Sequence, residues 1–233
     1  MTMLYYRHAS RNEPKVALTF DDGPNPPRTE EVIDVLEAHG VRGSFFVIGK
    51  WVEQFPRTVE RLIAGGHVVG NHSHDHAIRV SDYDRAEAVI GHVTGRRSRY
   101  VRPHSFDFAS ANNSLVGRLD GTYIIDADVN PRDYALNNAE DIVRNTLEHP
   151  ELGNGSIIDL HDGSEISDVA QRHSRALPMI EALPAIITGL IERGYEIVTL
   201  DEMTFTDPIE WTEGDESLLN TNPSPHGLIR RVH

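Results

Sequence analysis

Three histidines close together in this sequence are the first side chains that could do chemistry. His72, His74 and His76 lie within five residues, and two imidazoles four residues apart can bind one metal ion if the segment forms a helical turn. We interpret His72 and His76 as that ligand pair, with His74 able to replace either of them. A polar surface loop rich in histidine explains this segment equally well when it is considered alone.

A pair of adjacent carboxylates is the second feature. Asp21 and Asp22 follow a short apolar run and precede Gly23. The two carboxylates repel each other unless a positive charge lies beside them, and a divalent cation would supply that charge. Because successive side chains of an extended segment point to opposite sides, one Asp can bind the metal while the other reaches the reacting water. A helix N-cap or an Asx-turn explains one of the two aspartates well and both of them poorly.

Single polar residues also follow other apolar runs. His161 could act as a general acid, because its ordinary pKa lies near neutrality, but a His-Asp turn explains it as well. Arg102 and Asp133 fit a surface salt bridge or a cap when each is taken alone. Their shared location after predicted strands groups them with the aspartates and histidines.

The elements that would position these side chains alternate along the chain. Short apolar runs predict strands at 16–20, 44–48, 67–69, 99–102, 123–125, 157–158 and 196–200, with helical periodicity between them. About seven strand and helix pairs predict a parallel sheet that is closed or nearly closed into a barrel. The carboxyl ends of such strands meet on one face, so we expect the polar residues to gather there.

Composition limits the remaining possibilities. The 233 residues, 39% of them apolar, can bury one core, and we divide the chain into an extension at 1–14, a single domain at 15–205 and a polar tail at 206–233. A net charge of −14 argues against nucleic acid as a partner, and without cysteine any metal must use His and carboxylate ligands. The sequence shows neither a basic-then-apolar leader nor an apolar stretch of ~20 residues, which predicts no membrane span. We therefore expect a cytoplasmic location, or an extracellular one if a leader was trimmed.

Five motifs now occur in an order that resembles one family. They are Thr19-Phe20-Asp21-Asp22-Gly23-Pro24, His72-Ser73-His74-Asp75-His76, Arg102-Pro103, Asp128-Val129-Asn130-Pro131-Arg132-Asp133-Tyr134, and Ile158-Asp159-Leu160-His161. The chain resembles the NodB-homology polysaccharide deacetylases, or carbohydrate esterase family four, over about 15–203. This resemblance implies a single-domain α/β fold, a distorted (β/α)7-type barrel. It also implies a divalent metal, zinc or else cobalt or nickel, held by Asp22, His72 and His76.

The resemblance further implies roles for the other polar residues. Asp21 would be the general base that activates water, and His161 the general acid that protonates the departing group. Arg102 would orient Asp21, and Asp133 would hold the imidazolium form of His161.

The substrate side of the site is where the sequence departs from the family pattern. A backbone N–H near Ser105 would stabilise the oxyanion, and Tyr134 and Leu160 would contribute to the acyl pocket. Asp159 occupies a position that is commonly apolar. If it points inward it raises the pKa of His161, and if it points outward it is inert.

The activity implied is deacetylation of N-acetylated sugars, either chitin-like oligosaccharides or peptidoglycan glycan. Two alternatives use the same chemistry on other acyl sugars, namely acetyl-xylan esterase and aminosugar deformylase. A third alternative is a metal-free carbohydrate-binding pseudoenzyme.

Overall fold

The computed structural model describes residues 2–75, 80–104 and 122–212. The strands are β1 (Thr2–Tyr6), β2 (Lys15–Asp21), β3 (Ser44–Val47), β4 (Val68–Asn71), β5 (Tyr100–Val101), β6 (Tyr123–Ile125), β7 (Ile157–His161), β8 (Glu196–Val198) and β9 (Ile209–Thr212). The helices are α1 (Arg28–Ala38), α2 (Gly49–Gln54), α3 (Pro56–Ala64), α4 (Val80–Thr94), α5 (Ala139–Leu147) and α6 (Val169–Glu192). Short 3-10 helices occupy Asp133–Ala135 and Leu200–Glu202.

The strands form one curled sheet. Its order is β7-β2-β3-β4-β5-β6-β1-β9, with β8 also paired to β2, and the pairs are parallel except for β1 with β9. A parallel bridge between Val129 and Ile158 joins the chain after β6 to β7. The sheet therefore curls back on itself, which confirms the predicted distorted barrel.

Both faces of the central strands are buried, as is usual for parallel sheets covered by helices. Leu18 and Phe20 of β2 and Leu160 of β7 belong to the core between the sheet and the helices. Their neighbours on the other face, Thr19 and Asp21, are buried inside the curl of the sheet. Strand alternation thus delivers every second residue of β2 and β7 to the barrel interior.

Helix α1 shows how local sequence sets the elements around the site. Val32, Ile33 and Leu36 are fully buried and recur at helical spacing, so one apolar face packs on the core. Glu30 in the first turn complements the positive end of the helix dipole. Gly40 follows the helix with φ 67°, a left-handed conformation that glycine adopts without steric cost.

Two strands lie beyond the predicted barrel segment. β1 pairs in parallel with β6, and β9 pairs antiparallel with β1, so the sheet extends past the predicted domain boundaries at 14 and 206. Aromatic side chains pack beside this pairing, with the ring centroid of Tyr6 lying 5.6 Å from Tyr123 and 5.0 Å from Phe205. The extension and the start of the tail are therefore integral parts of the sheet.

Helix α6 is relevant to the expected absence of a membrane span. Among the described residues, it alone is long and apolar enough to cross a membrane, and 44% of its most apolar window is buried within the fold. A core helix of a globular domain passes the same test, so this is weak evidence for a span. The cytoplasmic location stays a prediction from the sequence.

Candidate active site

The pairing of β2 with β7 brings the first two functional side chains together. In this parallel register Asp21 lies beside His161, and Thr19 lies beside Asp159. Atoms of Asp21, Asp159 and His161 that could bind a metal lie within 4.8 Å of one another. The predicted base and the predicted acid therefore share one face at neighbouring strand ends.

Arg102 follows β5 and crosses the barrel interior to reach Asp21. Its Nη1 donates to Asp21 Oδ1 at 2.8 Å and to Thr19 Oγ1 at 2.8 Å, and the side chain is fully buried. The guanidinium carbon lies 4.2 Å from the centroid of the Phe46 ring, a cation–π contact. Arg102 is thus a buried partner of Asp21 and not part of a surface salt bridge.

Asp22 has an unusual backbone conformation that close packing holds in place. Its φ is 72°, and a Cβ placed on Gly163 would lie only 2.2 Å from the Asp22 carbonyl oxygen. The next residue is held as well, because Ile48 N–H donates to the Gly23 carbonyl at 2.8 Å. This packing keeps Asp22 in a left-handed conformation that is uncommon for non-glycine residues.

His72 is oriented by a hydrogen bond to the backbone. Its Nδ1 lies 2.8 Å from the Arg102 carbonyl oxygen, an acceptor, so Nδ1 carries a proton and Nε2 is the nitrogen turned towards the aspartates. That Nε2 lies 3.5 Å from Asp22 Oδ1 and 3.7 Å from Asp21 Oδ2. Ser73, with φ 68°, continues the loop, and its carbonyl accepts from Gly49 N–H at the start of α2.

The other two histidines of the cluster, His74 and His76, were also predicted as possible metal ligands. His74 is buried, and its ring contacts other carboxylates than Asp22, with Nε2 3.3 Å from Glu53 Oε1 and Nδ1 3.2 Å from Asp75 Oδ2. The structure therefore does not support His74 as a substitute ligand. His76 lies outside the described residues, and its predicted ligand role stays a prediction.

His161 is held by both oxygens of Asp133. Asp133 Oδ1 lies 2.9 Å from His161 Nδ1, and Oδ2 accepts from the His161 backbone N–H at 2.7 Å. Burial disfavours the charged imidazole, but the carboxylates of Asp133 and Asp159 outweigh burial and raise the pKa of His161 well above its ordinary value. The His161 side chain keeps 18% of its surface exposed.

Three residues were predicted to contact the substrate. Tyr134 packs edge-on against His161, with ring centroids 5.1 Å apart, and so lies at the site. The prediction for Leu160 is wrong. This side chain is fully buried in the core on the helix side of the sheet, because alternation along β7 points it to the face opposite Asp159 and His161. Ser105 lies outside the described residues. The preceding His104 has its ring centroid 6.0 Å from that of His72, which places it at the edge of the site.

The orientation of Asp159 is now settled. Its side chain is buried inside the barrel, where Oδ1 accepts from Arg102 Nη1 at 3.3 Å and Oδ2 accepts from Asn130 Nδ2 at 2.9 Å. Burial, followed by the nearby Asp21 carboxylate, raises the pKa of Asp159 well above its ordinary value. Of the two possibilities left by the sequence, the inward one is correct.

Asp22 and His72 are suited to hold one small divalent ion. Two ligands of a tetrahedral zinc ion, each about 2.0–2.1 Å from it, lie about 3.4 Å apart. The observed separation of 3.5 Å between Asp22 Oδ1 and His72 Nε2 matches this spacing. By contrast, Asp21 and Asp159 already share the positive charge of Arg102. The donor set therefore fits an ion better at Asp22 and His72 than among Asp21, Asp159 and His161.

Sequence reasoning missed two contributors to the site. Phe46 supports Arg102 from β3, although the predicted alternation along 44–48 could have placed it on the inner face beside Asp21. Asp162 was interpreted only as part of a possible His-Asp turn after His161. Burial raises its pKa to about 7, and a Cβ on Gly23 would lie 2.4 Å from Asp162 Oδ2. In the sequence, Gly23 directly follows Asp22 and Asp162 directly follows His161. These positions next to two motif residues were the available signal for Asp162.

Comparisons with known proteins show the family of this chain. A sequence profile described as polysaccharide deacetylase matches residues 8–116. A chitooligosaccharide deacetylase from Sinorhizobium fredii is 34% identical over 199 residues, which cover 81% of this chain and 91% of that protein. The peptidoglycan-N-acetylmuramic acid deacetylase PdaC from Bacillus subtilis is 29% identical over 82% of this chain, which spans only 39% of that longer protein.

A solved structure shows the same fold. The Bc1960 peptidoglycan N-acetylglucosamine deacetylase superposes with a TM-score of 0.72 and 26% identity, covering 87% of this chain and 94% of that one. The curled parallel sheet and its covering helices are common to both.

Proposed function

The chain belongs to the polysaccharide deacetylase family of amide hydrolases, and we propose that it removes acetyl groups from N-acetylated sugars with the help of a bound zinc ion. Substrates of this class are chitin-like oligosaccharides and peptidoglycan glycan, the classes named for its relatives. One observation carries the proposal. Asp21 and His161, a base and an acid, face each other within 4.8 Å, and the Asp22–His72 pair lies beside them.

Asp22 and His72 would hold the ion, with His76 as the third ligand that the family resemblance implies. When bound, a divalent ion lowers the pKa of coordinated water to about 7 and polarises the acetyl carbonyl. His72 is prepared for this role because the Arg102 carbonyl fixes its tautomer. Cobalt or nickel could occupy the same donor set.

Asp21 would accept the proton of the attacking water. Arg102 binds its Oδ1, which orients the carboxylate and leaves Oδ2 directed towards His72 Nε2, 3.7 Å away. A base with one oxygen fixed in this way keeps the other available for the water.

His161 would protonate the amine as the carbon–nitrogen bond breaks, since an amide nitrogen leaves poorly without a proton. Asp133 binds Nδ1, so the proton transferred to the substrate comes from Nε2. The raised pKa keeps the imidazolium form present at neutral pH. Tyr134 packs against the same ring and would form one wall of the acetyl pocket. A backbone N–H near Ser105 stays the predicted oxyanion donor.

Acid release from a panel of acylated sugars tests this function, measured as acetate for the acetylated substrates and as formate for the formylated one. The panel contains an N-acetylglucosamine oligomer, peptidoglycan glycan, acetylated xylan and an N-formylated aminosugar, each assayed after chelator dialysis and after zinc, cobalt or nickel is restored. We expect acetate from the N-acetylated substrates only with metal present. Release only from acetylated xylan or the formylated sugar would favour the alternative acyl specificities. Sugar binding without any turnover would identify a pseudoenzyme.

Two neighbouring substitutions separate the roles of the two aspartates. Asp21→Asn should abolish turnover with zinc still bound, because the base is lost and Asp22 and His72 are retained. Asp22→Asn, its matched control in size and charge, should lose zinc together with turnover. Zinc content measured beside activity distinguishes them, and loss of zinc from Asp21→Asn would mean that the two roles are exchanged.

A further inference from the structure

Asp159 lies between the two halves of the site: Oδ1 contacts Arg102, and Oδ2 contacts Asn130, which leads to the other half. It is 1% exposed, so it does not meet solvent or a bound sugar. In the proposed function the base side consists of Asp21 with Arg102, and the acid side consists of His161 with Asp133.

On the base side, Asp159 helps to fix the guanidinium of Arg102. Nη1 lies 2.8 Å from Thr19 Oγ1, 2.8 Å from Asp21 Oδ1 and 3.3 Å from Asp159 Oδ1. One nitrogen therefore lies among three acceptors on two adjacent strands. The hydrogen bond to Asp159 on the neighbouring strand therefore helps to set the position of Arg102 Nη1 relative to Asp21.

On the acid side, Asp159 leads through Asn130 to the turn that carries Asp133. Asp159 Oδ2 accepts from Asn130 Nδ2 at 2.9 Å, and Asn130 Oδ1 accepts from the Arg132 backbone N–H at 2.9 Å. Arg132 has left-handed backbone angles, φ 62° and ψ 39°, immediately before Asp133. The Asn130 amide therefore supports a turn conformation that a non-glycine residue rarely adopts.

We propose, on the basis of the proposed function, that Asp159 is a positioning residue that joins the base and the acid of the reaction through Arg102 and Asn130. Its two oxygens point in opposite directions along this chain of hydrogen bonds. A shift at either end is therefore transmitted to the other. The side-chain hydrogen bonds of Asp159 run to Arg102 and Asn130, and we expect Asp22 and His72 to keep their zinc ion when Asp159 is changed.

The pair Asn130 and Asp159 allows a reciprocal test. Asp159→Asn leaves two amide groups facing each other, so one hydrogen bond is lost in either orientation. Asn130→Asp places two carboxylates side by side. Asn130→Asp combined with Asp159→Asn reverses the pair and keeps all three links, to Arg102, within the pair, and to the Arg132 N–H.

We expect each single variant to lower kcat about 10 to 150-fold, the effect of losing one hydrogen bond to a charged group, with KM and zinc content unchanged. The double variant should have a kcat at least about tenfold above either single variant. Asp128→Asn is the matched control. That buried carboxylate binds the Ile157 N–H, Ser156 and Arg11 near the same loop but lies outside this chain of hydrogen bonds. It should lower Tm without lowering kcat per folded protein.

Two results would overturn the proposal. One is a kcat for Asp159→Asn within about twofold of wild type; the other is a double variant no better than the poorer single variant. The imidazole NMR signals of His161 give a readout without turnover, and they should move in Asp159→Asn and return in the double variant. If the zinc-loaded wild type releases no acetate, the proposed function fails while the NMR comparison still decides whether Asp159 positions His161. Signals that do not move would refute that link.

Discussion

Replacing Asp133 by Asn removes one charge from the site with almost no change in shape. Both carboxylate oxygens bind His161, one at Nδ1 and one at the backbone N–H. The carboxamide has a single acceptor oxygen, so its NH2 group must face one of these two positions. Because the backbone N–H can only donate, the amide NH2 is directed to Nδ1, which favours the neutral ring that accepts there. The variant therefore turns His161 from an acid towards a neutral imidazole.

The size of the effect follows from the hydrogen bond that is lost. A hydrogen bond to a charged group contributes about 1.5–3 kcal/mol, which corresponds to a loss of about 10 to 150-fold in kcat. The pH profile gives a second signature. Asp133 helps to raise the pKa of His161, so without it the acid form disappears at lower pH. The alkaline limb of the kcat profile should move towards lower pH.

Acetate release by the zinc-loaded enzyme, measured between about pH 5 and pH 10, tests this prediction. Asp128→Asn serves as the control, because Asp128 Oδ1 accepts from the Ile157 N–H at 2.8 Å at the opposite end of the same strand. That variant loses a similar carboxylate that accepts from a backbone N–H, and it leaves the hydrogen bonds of His161 unchanged. An alkaline limb in Asp133→Asn that coincides with that of the wild type would refute the assignment of His161 as the acid.

Two further predictions concern the metal ligand and the stability of the fold. Gly163→Ala should weaken zinc binding in a metal titration, because its Cβ would lie 2.2 Å from the Asp22 carbonyl oxygen; Gly91→Ala, whose Cβ meets nothing nearer than 3.6 Å, should not. Burial raises the pKa of Asp126 to about 7, so the folded chain holds this proton more tightly than the unfolded chain does. This stabilisation is fully present below about pH 4 and is lost as pH rises through about 7. In thermal melts the Tm of the wild type should therefore fall relative to that of Asp126→Asn over this range, and parallel Tm curves would contradict the linkage.

The alternation of strands and helices could be predicted because each apolar run is long enough to show its period. Helix α2 could not, since it has only six residues and its first N–H groups are satisfied by carbonyls from another segment, those of Ser73 and His74. Strands β1 and β9 escaped prediction for a similar reason. Their sequences are short, and pairing with each other and with β6 makes them strands.

The candidate site could be predicted in residue type but not in direction. Asp21, His161 and Arg102 follow strands, so their meeting at one end of the barrel was expected from the sequence. The inward direction of Asp159 was not, because both faces of β7 are buried and alternation alone does not say which face is the interior. The same ambiguity explains why Leu160 was placed in the acyl pocket and lies in the core instead.

The pairing of β1 with β6 and β9 also has a protective consequence. Without β1, the three-residue strand β6 would present an open edge of unpaired N–H and C=O groups. The rings of Tyr123 and Phe205, whose centroids lie 5.5 Å apart, would be uncovered beside it when Tyr6 is removed. An exposed edge next to aromatic surface is a template for intermolecular strand addition. The first residues of the chain thus help to keep one molecule from aggregating with the next.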